Sequence, residues 1–75
     1  MATTVKQRIG EHDYVELTEG IAKDEGVGTW PAGTRAAVIS DFGSHKMLDI
    51  AREDGVTLDE PVVSAEKLKL IAKHS

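Results

Sequence analysis

The sequence predicts an all-β fold, a small five-stranded antiparallel barrel with a short 3₁₀ turn before the last strand. Apolar and polar residues alternate in several short runs, which is typical of half-buried strands. Glycine, proline, aspartate and serine cluster between these runs, as they do in the turns of antiparallel sheets. A chain of 75 residues without cysteine has room for one core and no disulfides. We therefore assign residues 11–75 to a single domain and residues 1–10 to a flexible lead-in.

Alternation defines the first three strands. Residues 12–19 are predicted to hold the first strand, and residues 34–41 and 46–51 hold the second and third. The turn residues of 41–45 join the second and third strands as an antiparallel hairpin. The side chains predicted to face the core are Val15, Leu17, Ala36, Val38, Leu48 and Ile50.

Residues 20–33 separate the first two strands. They contain four glycines and one proline and show no sustained periodicity, so we expect a long loop that Ile21 and Val27 attach to the body. Connections of this length are functional more often than short ones. This loop is the first place to look for a binding surface.

The second half of the chain returns to strand patterns. Residues 52–55, Arg-Glu-Asp-Gly, are a strong hairpin signal, and residues 56–63 are predicted as the fourth strand. Pro61 places the second half of that strand at an edge or a bulge, because proline cannot donate a backbone hydrogen bond. Ser64 is a candidate cap for one 3₁₀ turn, after which residues 68–72 form the last strand.

A helix is the alternative for the end of the chain. Leu68, Ile71 and Ala72 also fit helical spacing, so the segment from Ser64 to His74 could form one continuous helix. The favoured arrangement has five short strands, one long early loop, two tight hairpins and a single turn before the final strand. This arrangement is typical of an SH3-like barrel.

Four stretches carry a resemblance to a known family: "DYVEL", "PAGTRAAVI", "KMLDIAREDG" and "VVSAEKLKLI". Together they span about residues 12–72, and they resemble small bacterial domains of unknown function of the DUF4926 type. Ala36 stands where that family tends to have a glycine. The resemblance implies an SH3-like barrel and implies no activity.

Composition excludes several classes of function. The formal charge of −4 argues against nucleic-acid binding, which depends on clustered basic residues. Analogy with KOW-type barrels nevertheless suggests nucleic-acid binding as an alternative. In that alternative, basic residues from both ends of the chain lie together: Lys6, Arg8, Lys67, Lys69 and Lys73. The sequence shows neither a signal-peptide pattern nor an apolar run of membrane-spanning length, so we expect a cytoplasmic protein and no membrane partner.

No residues form a convincing catalytic or metal site. His12, His45 and His74 do not have the spacing of local metal ligands, and we expect solvated side chains. Asp41, Ser44 and His45 lie in one turn, which lacks the oxyanion hole that a catalytic triad needs. The adjacent carboxylate pairs are interpreted as solvated turn charges: Asp24 with Glu25, Glu53 with Asp54, and Asp59 with Glu60. We predict no cofactor.

The aromatic residues give the best prediction of a binding surface. Trp30, Tyr14 and Phe42 are predicted to form it, with Asp24 and Glu25 as its polar rim. The alternative is that Trp30 covers the end of a thin core. The predicted function is a non-catalytic protein-interaction or accessory module. The alternatives are a small oligomeric enzyme of the type II dihydrofolate reductase kind and a KOW-like barrel associated with nucleic acid.

Apolar residues on the outer side of the strands predict a homo-oligomer. The residues expected to face away from the core are Ala37, Ile39, Met47 and Val63. Burial of such an apolar patch against a second copy of the chain is energetically favourable. The alternative is a wider core in which the long loop covers the same face.

Overall fold

The computed structural model describes residues 8–73, so His74 and residues 1–7 of the predicted lead-in lie outside the described range. The elements are β1 (Tyr14–Leu17), β2 (Ile21–Ala22), β3 (Thr29–Trp30), β4 (Arg35–Asp41), β5 (His45–Ala51), β6 (Thr57–Asp59), β7 (Val62–Ser64), a 3₁₀ turn (Ala65–Lys67) and β8 (Leu68–Ala72). The predicted all-β class is confirmed.

The strands pair along an open path. The order in the main sheet is β6-β5-β4-β1-β8, and β7 also pairs with β5. All of these pairings are antiparallel. The described strands do not close the path into a ring, because β8 pairs only with β1, and β6 and β7 pair only with β5. The predicted closed barrel of five strands is therefore not seen in the backbone pairing.

Pro61 divides the predicted fourth strand into β6 and β7. The two segments run along the same neighbour, because β6 pairs with Ile50 and Ala51 and β7 pairs with His45–Met47. Between them, the N–H of Leu48 donates to the carbonyl of Pro61 at 2.9 Å. Proline has no N–H to return, so the ladder is interrupted at this residue.

The core lies on one face of the main sheet. Its buried apolar residues are Val15, Leu17, Ala36, Val38, Leu48, Ile50, Val63 and Leu68. All six side chains predicted to face inward are among them. Val63 was predicted to face outward, and this prediction is wrong: Val63 is 4% exposed and lies opposite Lys46. Alternation continues through Pro61, with Asp59, Pro61 and Val63 buried and Glu60 and Val62 exposed, so the odd-numbered positions of this segment face the core.

The predicted long loop contains a hairpin. Ile21 pairs with Trp30 and Ala22 with Thr29, which makes β2 and β3 a separate two-stranded sheet. Ile21 packs against the core as expected. Val27 does not, because it lies in the turn of this hairpin and is 97% exposed.

The last residues follow the turn-and-strand prediction. Leu68 has extended backbone angles (φ −118°, ψ 142°) and pairs with Leu17, while Leu70 pairs with Val15. The alternative of one helix from Ser64 is therefore wrong over the described residues. The segment forms a strand and not a helix because the two-residue alternation of Leu68 and Leu70 matches the sheet face of the neighbouring strand β1. In the part of the chain that is described, no helix has the length and apolarity needed to cross a membrane.

Candidate functional site

Asp59 is the centre of the most connected polar cluster in the described chain. Its side chain is almost completely buried, with 2% of the residue exposed. It accepts hydrogen bonds from the indole Nε1–H of Trp30 at 2.8 Å and from the backbone N–H groups of Asp24 at 2.8 Å, Glu25 at 3.0 Å and Glu60 at 3.0 Å. One carboxylate thus connects the β2–β3 hairpin to the end of β6.

The hydrogen bonds keep Asp59 ionised. Burial by itself raises the pKa of this carboxyl, but the bonds from Trp30, Asp24, Glu25 and Glu60 outweigh burial and hold the pKa below its ordinary value. Because the folded-state pKa is lowered, the ionised group stabilises the fold at neutral pH. That contribution is lost as the pH falls through the folded-state pKa.

The Asp59 cluster forms one wall of a groove beside the hairpin. One part of the groove is a cavity of about 450 Å³ whose lining includes acidic Asp24, Glu25 and Glu60 together with apolar Met47 and Leu58. A second part, of about 380 Å³, shares Asp24 and continues along β7, where its apolar lining is Ile21, Pro61, Val62 and Val63. We call these two adjoining parts the hairpin groove.

The hairpin groove is acidic at one end, whereas its other end combines apolar residues with Lys23, His45 and Lys67. Asp24, Glu25 and Glu60 are solvent-exposed, so their carboxylates are accessible to a cationic group. Leu58 and Val62 remain 42% and 52% exposed. Within residues 8–73, no three His, Cys, Asp or Glu side chains are grouped so that they could hold a metal ion.

Trp30 has a structural contact on each side. It is half-buried and packs against the core, and its indole N–H is bonded to Asp59. The ammonium of Lys23 lies 4.6 Å from the centre of the ring, within the range of a cation–π interaction. Trp30 therefore supports the groove from behind, while Asp24 and Glu25, predicted as a polar rim, line it.

The other two aromatic residues lie elsewhere. Tyr14 is 41% exposed on β1, opposite Ala37, and Phe42 is 59% exposed in the turn after β4. Neither is among the residues that line the hairpin groove. The surface of three aromatics therefore stays a prediction, and it is distinct from the lining of the hairpin groove.

The Asp41, Ser44 and His45 turn has a different arrangement from a triad. Ser44 Oγ lies 3.0 Å from His45 Nδ1, but Asp41 Oδ1 accepts hydrogen bonds from Lys46 Nζ and from the N–H of Gly43. The Lys46 ammonium holds the pKa of Asp41 below its ordinary value. Asp41 therefore compensates a lysine, and the described contacts do not join it to the histidine.

Sequence reasoning missed three buried charged residues. Asp59 was expected to be a solvated turn residue, which is wrong, and Asp13 and Lys46 are also buried at 2% and 3% exposure. A signal for the last two was present, because they share the alternation of the inward-facing Val15 and Leu48. Asp59, the last residue of β6, shares the parity of Val63, which was assigned to the outer face, so the alternation was assigned to the wrong face here.

Two of the basic residues at the chain ends, Lys67 and Lys73, are paired with acceptors. Lys73 Nζ donates to Asp13 Oδ2 at 2.7 Å and to the carbonyl of Arg8 at 2.6 Å. Lys67 Nζ lies 3.6 Å from a carboxylate oxygen of Glu19. Lys6 lies outside the described residues. These contacts reduce the positive charge that a nucleic acid would meet.

Comparisons of the chain with protein-family models, with curated proteins and with solved structures found no match.

Proposed function

We propose that this chain is a non-catalytic interaction module that binds a basic, apolar peptide segment of a protein partner in the hairpin groove. The observation that carries the proposal is the combination of three accessible acidic residues with exposed Leu58 and Val62 in one groove. Exposed apolar side chains grouped inside a polar rim are typical of protein-interaction sites. Carboxylates at the rim select arginine or lysine in the partner.

The groove is formed before a partner binds. The hydrogen bonds to Asp59 fix the backbone of Asp24 and Glu25, and Pro61 has a restricted backbone angle. A preformed site avoids the entropic cost of ordering a loop during binding. Because the groove is already ordered, a short peptide is an appropriate partner for it.

An SH3-like barrel of the DUF4926 type is part of the same proposal. It is supported by the strand order β6-β5-β4-β1-β8, by the hairpin that follows β1 and by the 3₁₀ turn between β7 and β8. The proposal treats the open path as a barrel whose two edge strands, β6–β7 and β8, approach each other without backbone pairing.

The test is a titration with a short synthetic peptide in which two arginines alternate with leucine and proline. We expect saturable changes in the NMR amide signals of Asp24, Glu25 and Leu58. The double variant Asp24→Asn/Glu25→Gln should weaken binding by about tenfold, because it removes two carboxylates from the rim. It leaves the backbone N–H groups that bond to Asp59 unchanged.

The matched control is Glu11→Gln/Glu53→Gln, which removes the same charge at exposed positions outside the groove. Its affinity should equal that of the wild type. Equal weakening in both double variants would show attraction to net charge alone and would contradict the proposed site. An absence of saturable signal changes would contradict it as well.

Pairing of two copies is a second candidate, and one observation favours it. Oδ1 of Asp49 is buried and has no hydrogen-bond partner. Asp49 lies opposite Ala37, whose other neighbour in the sheet is Tyr14, on the face away from the core. Arg35 precedes Ala37 by two residues on the same face, and its guanidinium is 55% exposed with Glu16 at 3.9 Å. A twofold axis would place Arg35 of one copy beside the half-buried Asp49 of the other.

Light scattering after size-exclusion chromatography tests this pairing over about a hundredfold range of concentration. The wild type should approach the dimer mass at the highest concentrations, and Asp49→Ala should stay monomeric because the arginine loses its acceptor. Asp54→Ala, in an exposed turn, is the control and should follow the wild type. A monomer mass for the wild type throughout the range would rule out the pairing.

A further inference from the structure

A second cavity of the described structure is separate from the hairpin groove. It has a volume of about 810 Å³ and opens beside the 3₁₀ turn and β8. Its apolar walls are formed by Ile9, Ala65, Leu68 and Leu70. This volume is in the usual range for small-molecule sites, which are mostly apolar with a few polar groups.

Basic residues predominate in the lining of this cavity, although the whole chain is acidic. Arg8, Lys46 and Lys69 line it, against one acidic residue, Glu66. The whole chain carries a formal charge of −4, so the cavity has the opposite sign to the protein around it. An anionic ligand is favoured by this local charge.

Lys46 is the most unusual of the lining residues. Its side chain is 4% exposed, and its ammonium donates a hydrogen bond to Asp41. An ammonium group has three donors, so one acceptor leaves capacity for a ligand oxygen. Asp41 compensates one positive charge, and Arg8 and Lys69 supply the excess.

We propose that this cavity binds a medium-chain fatty carboxylate. The alkyl chain would lie against Leu68, Leu70 and Ile9, and the carboxylate would accept charge-assisted hydrogen bonds from the basic residues. No lining residue is shared with the hairpin groove. The proposal therefore stands or falls independently of peptide binding.

Octanoate is the probe, and 1-octanol is its uncharged counterpart. Titration into the full chain should give saturable shifts of the methyl NMR signals of Ile9, Leu68 and Leu70, with a dissociation constant of about 1 mM or lower. Octanol should bind at least about fivefold more weakly, because it lacks the ionised head group. Equal affinity for the two compounds would overturn the proposal, and so would an absence of saturation or shifts confined to Leu58 and Val62.

Two variants and one control locate the site. Lys69→Gln should weaken octanoate binding by about threefold through the loss of one charge. Ala65→Leu should weaken it by about tenfold, since the added carbons occupy the cavity. Lys67→Gln removes the same charge two residues earlier, in the 3₁₀ turn, at a residue that does not line the cavity, and its affinity should match the wild type. If Lys67→Gln weakened octanoate binding as much as Lys69→Gln does, the proposed site would be overturned.

Discussion

Asp59→Ala should lower the free energy of unfolding by about 2–4 kcal/mol. The variant removes the acceptor of four hydrogen bonds and leaves the indole N–H of Trp30 without its partner. It also removes the connection between the β2–β3 hairpin and β6. A domain of 75 residues has a total stability of about 4–11 kcal/mol, so the loss is a substantial fraction of the total.

Urea unfolding, followed by far-UV circular dichroism, measures this effect in all variants, because Trp30 is the only tryptophan of the chain and one variant replaces it. Trp30→Phe keeps an aromatic ring but removes the indole donor, and it should cost about 1 kcal/mol. Glu60→Ala keeps the backbone N–H that bonds to Asp59 and should change the stability little. A stability of Asp59→Ala within about 0.5 kcal/mol of the wild type would contradict the role given to this carboxylate.

The same measurement at lower pH provides a second check. The wild type should lose stability as the pH falls below about 4, because the lowered pKa of Asp59 makes protonation costly to the fold. The Asp59→Asn variant should lose less stability over the same pH range. Asp41 and Asp54 also have lowered pKa values, but they titrate in both proteins and cancel in the comparison.

Asp41→Asn should lower the unfolding temperature by roughly 10 °C, more than Lys46→Met does. The two partners differ in exposure: the side chain of Lys46 is 4% exposed and that of Asp41 is 20% exposed. Removing the carboxylate leaves a buried ammonium without its counter-charge. Removing the ammonium leaves a carboxylate that reaches water, with methionine filling the space of the lysine chain.

Thermal unfolding followed by circular dichroism compares the variants directly. The double variant Asp41→Asn/Lys46→Met should be more stable than Asp41→Asn alone, because no unpaired charge remains buried. Asp54→Asn is the control, since its partner Arg52 is 55% exposed and the pair contributes little. A larger loss in Lys46→Met than in Asp41→Asn would contradict this interpretation of the pair.

The alternation of apolar and polar residues correctly predicted which side chains of the sheet face the core. Val15, Leu17, Leu48 and Ile50 are buried as expected, because a strand with one face on a core must alternate. The same rule applies to Asp13 and Lys46, although their charge argued for exposure. Periodicity identifies the face of a residue but not its partner, and Asp13 is compensated by Lys73, which lies 60 positions away.

The candidate site was predictable only in part. The loop of residues 20–33 was identified as the place for a binding surface, and Asp24 and Glu25 line the groove there. Tyr14 and Phe42 were included because they are aromatic, which says nothing about distance in the fold. The bond from Trp30 to Asp59 joins residues 29 positions apart, and local sequence patterns do not encode such a contact.

Pro61 has a further consequence for the chain at high concentration. The sheet ends in β6 and β7, three residues each, on either side of this proline. Fibril-forming segments need about six or seven consecutive residues without proline. Neither segment reaches that length, so this edge is a poor template for adding strands from other molecules. The same residue that shapes the groove therefore protects the sheet against aggregation along its edge.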